Sequence, residues 1–446
     1  MSTAFTPAAV DQLVDDVEGA GLKFTGTYTS SGLIFTTTDP EPARGGDVTA
    51  STRFKGAFAF FPSATSANKI RQIVSHTTAT GTATFTTTGP NYNATGTSVV
   101  GYLLFEHSDI LRNYANDALE HSRVEVRVPL MHGPASGDMQ GDDVDTDWTE
   151  TNATDTVQTT SSEVFQNAQS LVVTDSGSAG GYTQSALERI GQGRTVTMFG
   201  IVKSDTGTST LIALDGSGNE QDSVLTTQEE WMLLKKRVTF DAADEQIRLR
   251  LEGTTASAEG DWQAAWYVKE DVPMFSAPAW FTERHRIIGI QRKTAMIAGS
   301  EADTWYAGSG EYVSLRGNDD PDPQYKVYRY GADASRWQIA ILDKSLLTEP
   351  LYILVDAPWS APYGTDATFS SDTSTTNMPQ DEFMAAWKVE IAKAKNEFDP
   401  VTKLFDRGKF PGLHSAALND LAKVSRTQEN PQPATEQITR NMFGAM

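Results

Sequence analysis

The chain has 446 residues, 36 basic side chains against 58 acidic ones, a net charge of −22 and no cysteine. That length calls for roughly two to four domains. The charge excludes a duplex-gripping surface, which needs clustered Lys and Arg, and the missing cysteine excludes disulfide staples and cysteine-ligated zinc. No apolar run approaches a membrane span, and the first residues lack the charged-then-apolar layout of a secretory leader. The expectation is a soluble product made in the cytosol.

The first predicted element is a helix over residues 6–19, with Thr6 as N-cap, Pro7 at the first helical position, and Val10, Leu13, Val14 and Val17 on one face. Strands are predicted at 24–28, 32–36, 54–60, 83–86 and 99–105, with threonine runs suited to exposed pleats. A second helix, 108–119, is capped by Ser108 and carries Ile110, Leu111, Tyr114 and Leu119 as its apolar side. A strand over 123–130 completes an N-terminal β-rich domain, 1–135.

Residues 136–147 read as an acidic linker. Within it, Asp143, Asp145 and Asp147 have the spacing that opens a calcium loop, although Trp148 stands where an EF-hand needs glycine and no glutamate closes the loop. The two readings are a solvated linker and a structural Ca2+ site. No other cofactor is implied.

From 148 to 275 apolar and polar residues alternate in short runs, at 162–165, 170–174, 181–185, 194–203, 209–215, 223–226, 230–240, 246–252 and 262–269. Period two means one buried and one wet face, the pattern of antiparallel sheets stacked as a sandwich. Asp215-Gly216-Ser217-Gly218-Asn219 and Ser204-Asp205-Thr206-Gly207 supply the turns. Trp148, Ser170-Leu171-Val172-Val173, Gly180-Gly181-Tyr182-Thr183-Gln184, Gly191-Gln192-Gly193-Arg194-Thr195-Val196-Thr197, the opening at Thr226–Trp231, and a closing Trp266-Tyr267-Val268 follow in order. This succession resembles the jelly-roll carbohydrate-binding modules of the family 4 and 9 type, over a little more than a quarter of the chain. The resemblance implies a core position for Trp231. It also implies a sugar-binding surface, for which Tyr182, Gln184, Trp262 and Gln263 are the candidates, since a sugar platform needs an aromatic face with amides beside it. Sandwich packing is the competing reading for Trp262 and Tyr182.

Strands at 286–290, 304–307, 324–330, 337–342 and 351–355 make a second β-rich domain, 276–360, followed by a Thr/Ser/Asp/Gly-rich loop at 361–378. A helical segment, 379–425, contains one helix over 381–398 with Phe383, Trp387, Ile391, Ala394 and Phe398 as a stripe, and another over 413–424. Residues 426–446 read as an extended arm that orders against a neighbour. The expected fold class is therefore mainly β and multi-domain: a central antiparallel jelly-roll β-sandwich flanked by β-rich domains, with short N-terminal and C-terminal α-helices.

Chemistry is sparse. The six histidines have no helical zinc spacing, and phosphate-loop, dinucleotide and nucleophile-elbow motifs are absent. Glu106-His107-Ser108-Asp109 is better read as a helix cap with a surface histidine than as a nucleophile set. No catalytic residue is assigned.

The chain thus reads as a non-enzymatic structural protein. It is similar to virion proteins of tailed viruses, placed at the neck, connector or tail, forming a homo-oligomer with other virion proteins, with an outward sandwich contacting host glycan and no nucleic-acid or membrane partner. The alternatives are a glycan-binding adhesion protein and a polysaccharide-active enzyme.

Overall fold

In a computed structural model the described residues are 3–4, 21–30, 32–38, 49–51, 54–61, 70–79, 82–89, 91–92, 94–104, 108–140, 144–158, 164–165, 169–176, 180–241, 244–253, 257–329, 337–360, 369, 375–376 and 378–397. The helices predicted at 6–19 and 413–424, and the arm 426–446, lie outside them. The described residues fall into two units, one from 1–122 with 367–397 and one from 123–360.

The first unit holds a small closed barrel. Its strands run in the order Ile70–Ala79, Phe58–Phe60, Gly96–Leu104, Gly21–Tyr28, Ile34–Thr37, Thr82–Thr87 and back to Ile70–Ala79, with Thr49–Ser51 appended to the last. Closure leaves no edge to protect. Its interior is aromatic: Phe35 stacks on Phe85 at 4.5 Å, Phe24 on Phe35 at 5.2 Å, and His76 on Phe85 at 4.5 Å. Ile70–Ala79 escaped the sequence reading because Arg71, His76 and Thr78 point inward along with Ile73. Polar residues on the buried face erase the hydrophobic alternation.

Two helices complete this unit, Ser108–His121 and Gln380–Glu397. Leu111, Ala115, Ala118 and Leu119 face inward, while Ile110, expected on the apolar side, is exposed. The inward set follows the i, i+4, i+7, i+8 spacing that Ile110 breaks. Phe383, Trp387 and Ile391 are buried as expected, and the Trp387 indole donates to the Leu111 carbonyl at 2.9 Å.

In the second unit, two antiparallel sheets stack face to face. One runs Trp148–Thr151, Tyr182–Ser185, Gln246–Gly253, Ser209–Asp215, Glu220–Thr226; the other runs Ala153–Gln158, Ser170–Asp175, Glu259–Lys269, Thr195–Thr206, Met232–Thr239 and Thr304–Tyr306. Apart from hairpins, successive strands alternate between the sheets, the jelly-roll habit. Leu211, Ala213, Ile247, Leu249 and Leu251 from the first meet Val196, Met198, Leu234, Trp262 and Tyr267 from the second in one core.

Three boundaries differ from the sequence reading. Strand Arg123–Pro129, assigned to the N-terminal domain 1–135, pairs with Leu351–Pro358 and closes a four-stranded sheet with Arg286–Thr294 and Glu311–Ser314. The described part of 136–147 is not a solvated linker. Gly133 and Gly137 accept from the backbone of Tyr267 and Ala265 at 2.8 and 2.7 Å, and Asp138, Met139, Gln140 and Val144 are buried. The sandwich also does not end at 275. Thr304–Tyr306 extends its second sheet, whose outer face is covered: Phe199, Leu233 and Trp266 are fully buried, with Trp266 stacked on Phe199 at 5.1 Å and edge-on to Tyr352 at 6.2 Å. Tyr352 of Leu351–Pro358, far away in sequence, supplies part of this cover, and period-two patterns carry no information about such a partner.

Candidate functional site

With the second sheet's outer face covered, the outer face of the first sheet is the sandwich's remaining broad surface. Alternation along Gln246–Gly253 sends Ile247, Leu249 and Leu251 into the core and turns Arg248, Arg250 and Glu252 outward, each half-buried. Register then fixes the rows. Thr151, Tyr182, Glu252 and Thr210 lie side by side across four strands, and Thr149, Gln184, Arg250 and Ile212 form the next row; Arg248 lies beside Leu214.

The floor of this face is Thr210, Ile212 and Leu214, all more than nine-tenths buried. Above it the Arg250 guanidinium lies 3.9 Å over the Tyr182 ring, and one of its nitrogens is 3.7 Å from a Glu252 oxygen. The stacked pair makes one flat, rigid surface with an amide and a carboxylate beside it. Those are the groups that cover a sugar ring and take its hydroxyls.

Of the four expected sugar-contacting residues, Tyr182 and Gln184 are therefore brought together on this face, and Trp262 and Gln263 are not. Trp262 is 1 % exposed and lies between the sheets. A Cβ at Gly200 would come within 3.1 Å of its indole, so Gly200 makes the room the ring occupies. Gln263 is buried at a register shift, where its amide accepts from the Phe165 N–H at 2.7 Å and donates to the Gln169 carbonyl at 2.8 Å, pinning a loop. Trp231, expected in the core, is half-buried against Phe165, with ring centres 5.7 Å apart. Arg250, Glu252 and Arg248 were missed because charged residues at alternate positions of a strand look like any solvated face; only the pairing register shows that they share a face with Tyr182.

The calcium reading of Asp143, Asp145 and Asp147 finds no cluster among the described residues. Asp143 and the side chain of Asp145 lie outside them, and the Asp147 carboxylate accepts from the Ser136 hydroxyl. The carboxylates that do converge are Asp205, Glu259 and Asp261, with oxygens within 4.8 Å of one another. A cation of the protein's own is already there: Lys203 Nζ lies 2.6 Å from Asp205 and 3.0 Å from Asp261. Glu259 also accepts from Thr174 at 3.1 Å. The trio is thus a fastening between strands. It was hidden in the sequence because its members come from two strands.

Asp138 and His132 of this unit are shifted from their ordinary pKa values. Burial pushes the Asp138 carboxyl up to about 6, against the opposing hydrogen bonds from the Trp280 indole (2.7 Å) and the Gln140 N–H. Burial pulls His132 down to about 4, opposed by its hydrogen bond to the Met274 carbonyl. Its other ring nitrogen accepts from the Lys269 N–H at 3.0 Å, and its ring stacks on Phe275 at 4.1 Å. Among the described residues, the hydrogen-bond partners of the two side chains are the Trp280 indole and backbone groups.

No family model matches the chain. No curated protein matches it. Among solved structures, part of the chain is similar to the CBM22-1 xylan-binding domain from Paenibacillus barcinonensis Xyn10C, at 20 % identity and a TM-score of 0.23, covering 27 % of this chain and 85 % of that one. It is also similar to TmCBM61 in complex with beta-1,4-galactotriose, at 16 % identity and a TM-score of 0.22, covering 27 % and 88 %. The enzymatically active domain of Bacteriophage CBA120 tailspike protein 4 is similar at 14 % identity and a TM-score of 0.25, over 31 % of this chain and 21 % of that one.

Proposed function

We propose that this chain is a non-enzymatic glycan-contacting protein whose sandwich holds a saccharide on the face built from Tyr182, Gln184, Arg250 and Glu252. The observation that carries the reading is the stacking of Arg250 on Tyr182 above a buried floor, on the outer face of the first sheet, where Tyr182, Gln184, Arg250 and Glu252 keep part of their surface exposed among the described residues. Planar groups held flat lose little conformational freedom when a ring packs on them. Flanking amide and carboxylate groups give orientation. The test is a glycan array probed with the whole chain, alongside a reducing-sugar assay on every polysaccharide that binds. Binding without sugar release supports the reading; release would make the protein an enzyme, and a blank array would end the proposal.

A second reading, assembly into a multi-copy particle of the tailed-virus kind, is favoured by a different observation. Ile288, Ile297, Val313 and Leu342 of the second unit are exposed, Ile297 by 64 %. Exposed apolar side chains of this size gain from a neighbour's cover. Light scattering on the purified chain tests it: a concentration-independent monomer counts against assembly, and a closed oligomer supports it.

A further inference from the structure

Resting on that glycan-contacting face, we infer that the saccharide it takes is acidic, carrying carboxylate or sulfate groups that Arg248 and Arg250 recognise. Three polar atoms on this one face, the Nε of Arg248, the Nε of Arg250 and the hydroxyl of Thr210, are buried without a hydrogen-bond partner among the described residues. Thr210 is itself 5 % exposed. Its neighbour across the strand pair is Glu252, and the next outward position on that strand, Ile212, is opposite Arg250. The orphan atoms thus lie on two neighbouring strands of one face. A buried donor left without an acceptor is destabilising, and two such donors on one face are satisfied together by a ligand that brings acceptors.

The chemistry of those acceptors follows from the arginines. A guanidinium Nε–H and one terminal N–H form a planar fork that matches the two oxygens of a carboxylate or sulfate. Arg250 spends part of its charge on Glu252 at 3.7 Å. Arg248 makes no ion pair with any described residue and stands two positions along the same strand, about 7 Å away. A neutral sugar would leave Arg248 unanswered. In a chain of net charge −22 an uncompensated arginine on a recessed face is set against the general trend. That overall charge also disfavours a nucleic-acid strand, whose densely spaced phosphates the rest of the surface repels.

The experiment uses the full chain on a panel of polygalacturonate, alginate, chondroitin sulfate, methyl-esterified polygalacturonate, xylan, mannan, galactan and single-stranded DNA, each at low and at roughly 1 M salt, where screening shrinks to about 3 Å. The tightest binders are expected among the acidic polysaccharides and are expected to weaken at least tenfold in high salt. Arg248→Gln is expected to cost at least tenfold on them, Arg248→Lys less, with unchanged melting temperatures. Equal or tighter binding to the neutral and esterified polysaccharides overturns this inference and leaves the glycan-binding reading standing. DNA bound as tightly as the acidic polysaccharides also overturns it. Failure to bind any polysaccharide overturns both.

Discussion

Lys203 Nζ lies 3.0 Å from the Oδ2 of Asp261, a carboxylate with no exposed surface, and 2.6 Å from Asp205. The ammonium joins strand Thr195–Thr206 to strand Glu259–Lys269 at the end of the sandwich where their register shifts. Burial by itself would lower the lysine's pKa, but the hydrogen bonds it donates to Asp205 and Asp261 outweigh it and hold the value above the usual lysine range. Replacing Lys203 with Met leaves Asp261 buried beside two other carboxylates without their cation. The expected cost is about 3 kcal/mol, at the lower end for a broken buried pair because Asp205 is partly exposed. Because the folded pKa is raised, the stabilisation is intact below the lysine's ordinary value and is lost as pH rises through the folded one. Chemical denaturation at pH 7 and above pH 11 checks both statements. Equal stability of wild type and Lys203→Met at pH 7 would contradict them.

His132 and Asp138 set an opposed pair of pH dependences within the second unit. His132 titrates at about 4 in the fold, against 6.5 when free, so its contribution is present above 6.5 and is lost as pH falls toward 4. Asp138 titrates at about 6, against 3.8, so the fold gains relative to the unfolded chain as pH falls from 6 to 3.8, and bears an ionised buried carboxylate above that window. In Asp138→Asn the amide oxygen still accepts from the Trp280 indole. The expected result is a higher melting temperature at pH 7.5 and a steeper acid loss between pH 6 and 4 than in wild type. Identical melting profiles of the two proteins would remove the role given to Asp138.

Trp262→Ala is expected to cost about 3–5 kcal/mol, since the indole fills the space between the two sheets. The loss is one of stability. Saccharide binding by whatever fraction stays folded is expected to be unchanged, and a binding defect at full stability would return Trp262 to the surface role its position in the sequence suggested.

The sandwich as cut from the sequence, 148–275, is expected to fail alone. Removing the rest of the second unit uncovers Phe199, Leu233 and Trp266 and frees the strand Met232–Thr239 from Thr304–Tyr306. An apolar sheet face with an open edge aggregates. Size-exclusion chromatography of 148–275 against 123–360 decides: the shorter piece should elute as aggregate and the longer as one species. A monodisperse 148–275 with the full chain's melting temperature would show that the cover is dispensable.

The strand Gln246–Gly253 was readable because its residues alternate between a buried and a wetter face, and Thr195–Thr206 and Ser209–Asp215, largely buried on both faces, because short apolar runs end at turn residues. The strand Arg123–Pro129 was readable as a strand but not as a partner of Leu351–Pro358, because pairing across more than two hundred residues leaves no local mark. The site divided in the same way. Tyr182, picked out by residue type, stands on the outer face; Trp262, picked out for the same reason, is buried between the sheets; and the placing of Arg248 and Arg250 on the face of Tyr182 is visible only through the register that sets them beside Leu214 and Ile212.

The central claim is that the surface centred on Tyr182 is what meets the saccharide. Isothermal titration of the best-binding polysaccharide from the array into wild type and Tyr182→Ala tests it most directly. Tyr182→Ala removes the ring under Arg250 at a half-buried position, so the fold is expected to hold while affinity falls at least tenfold. Undiminished affinity in Tyr182→Ala, with its melting temperature unchanged, would contradict the account.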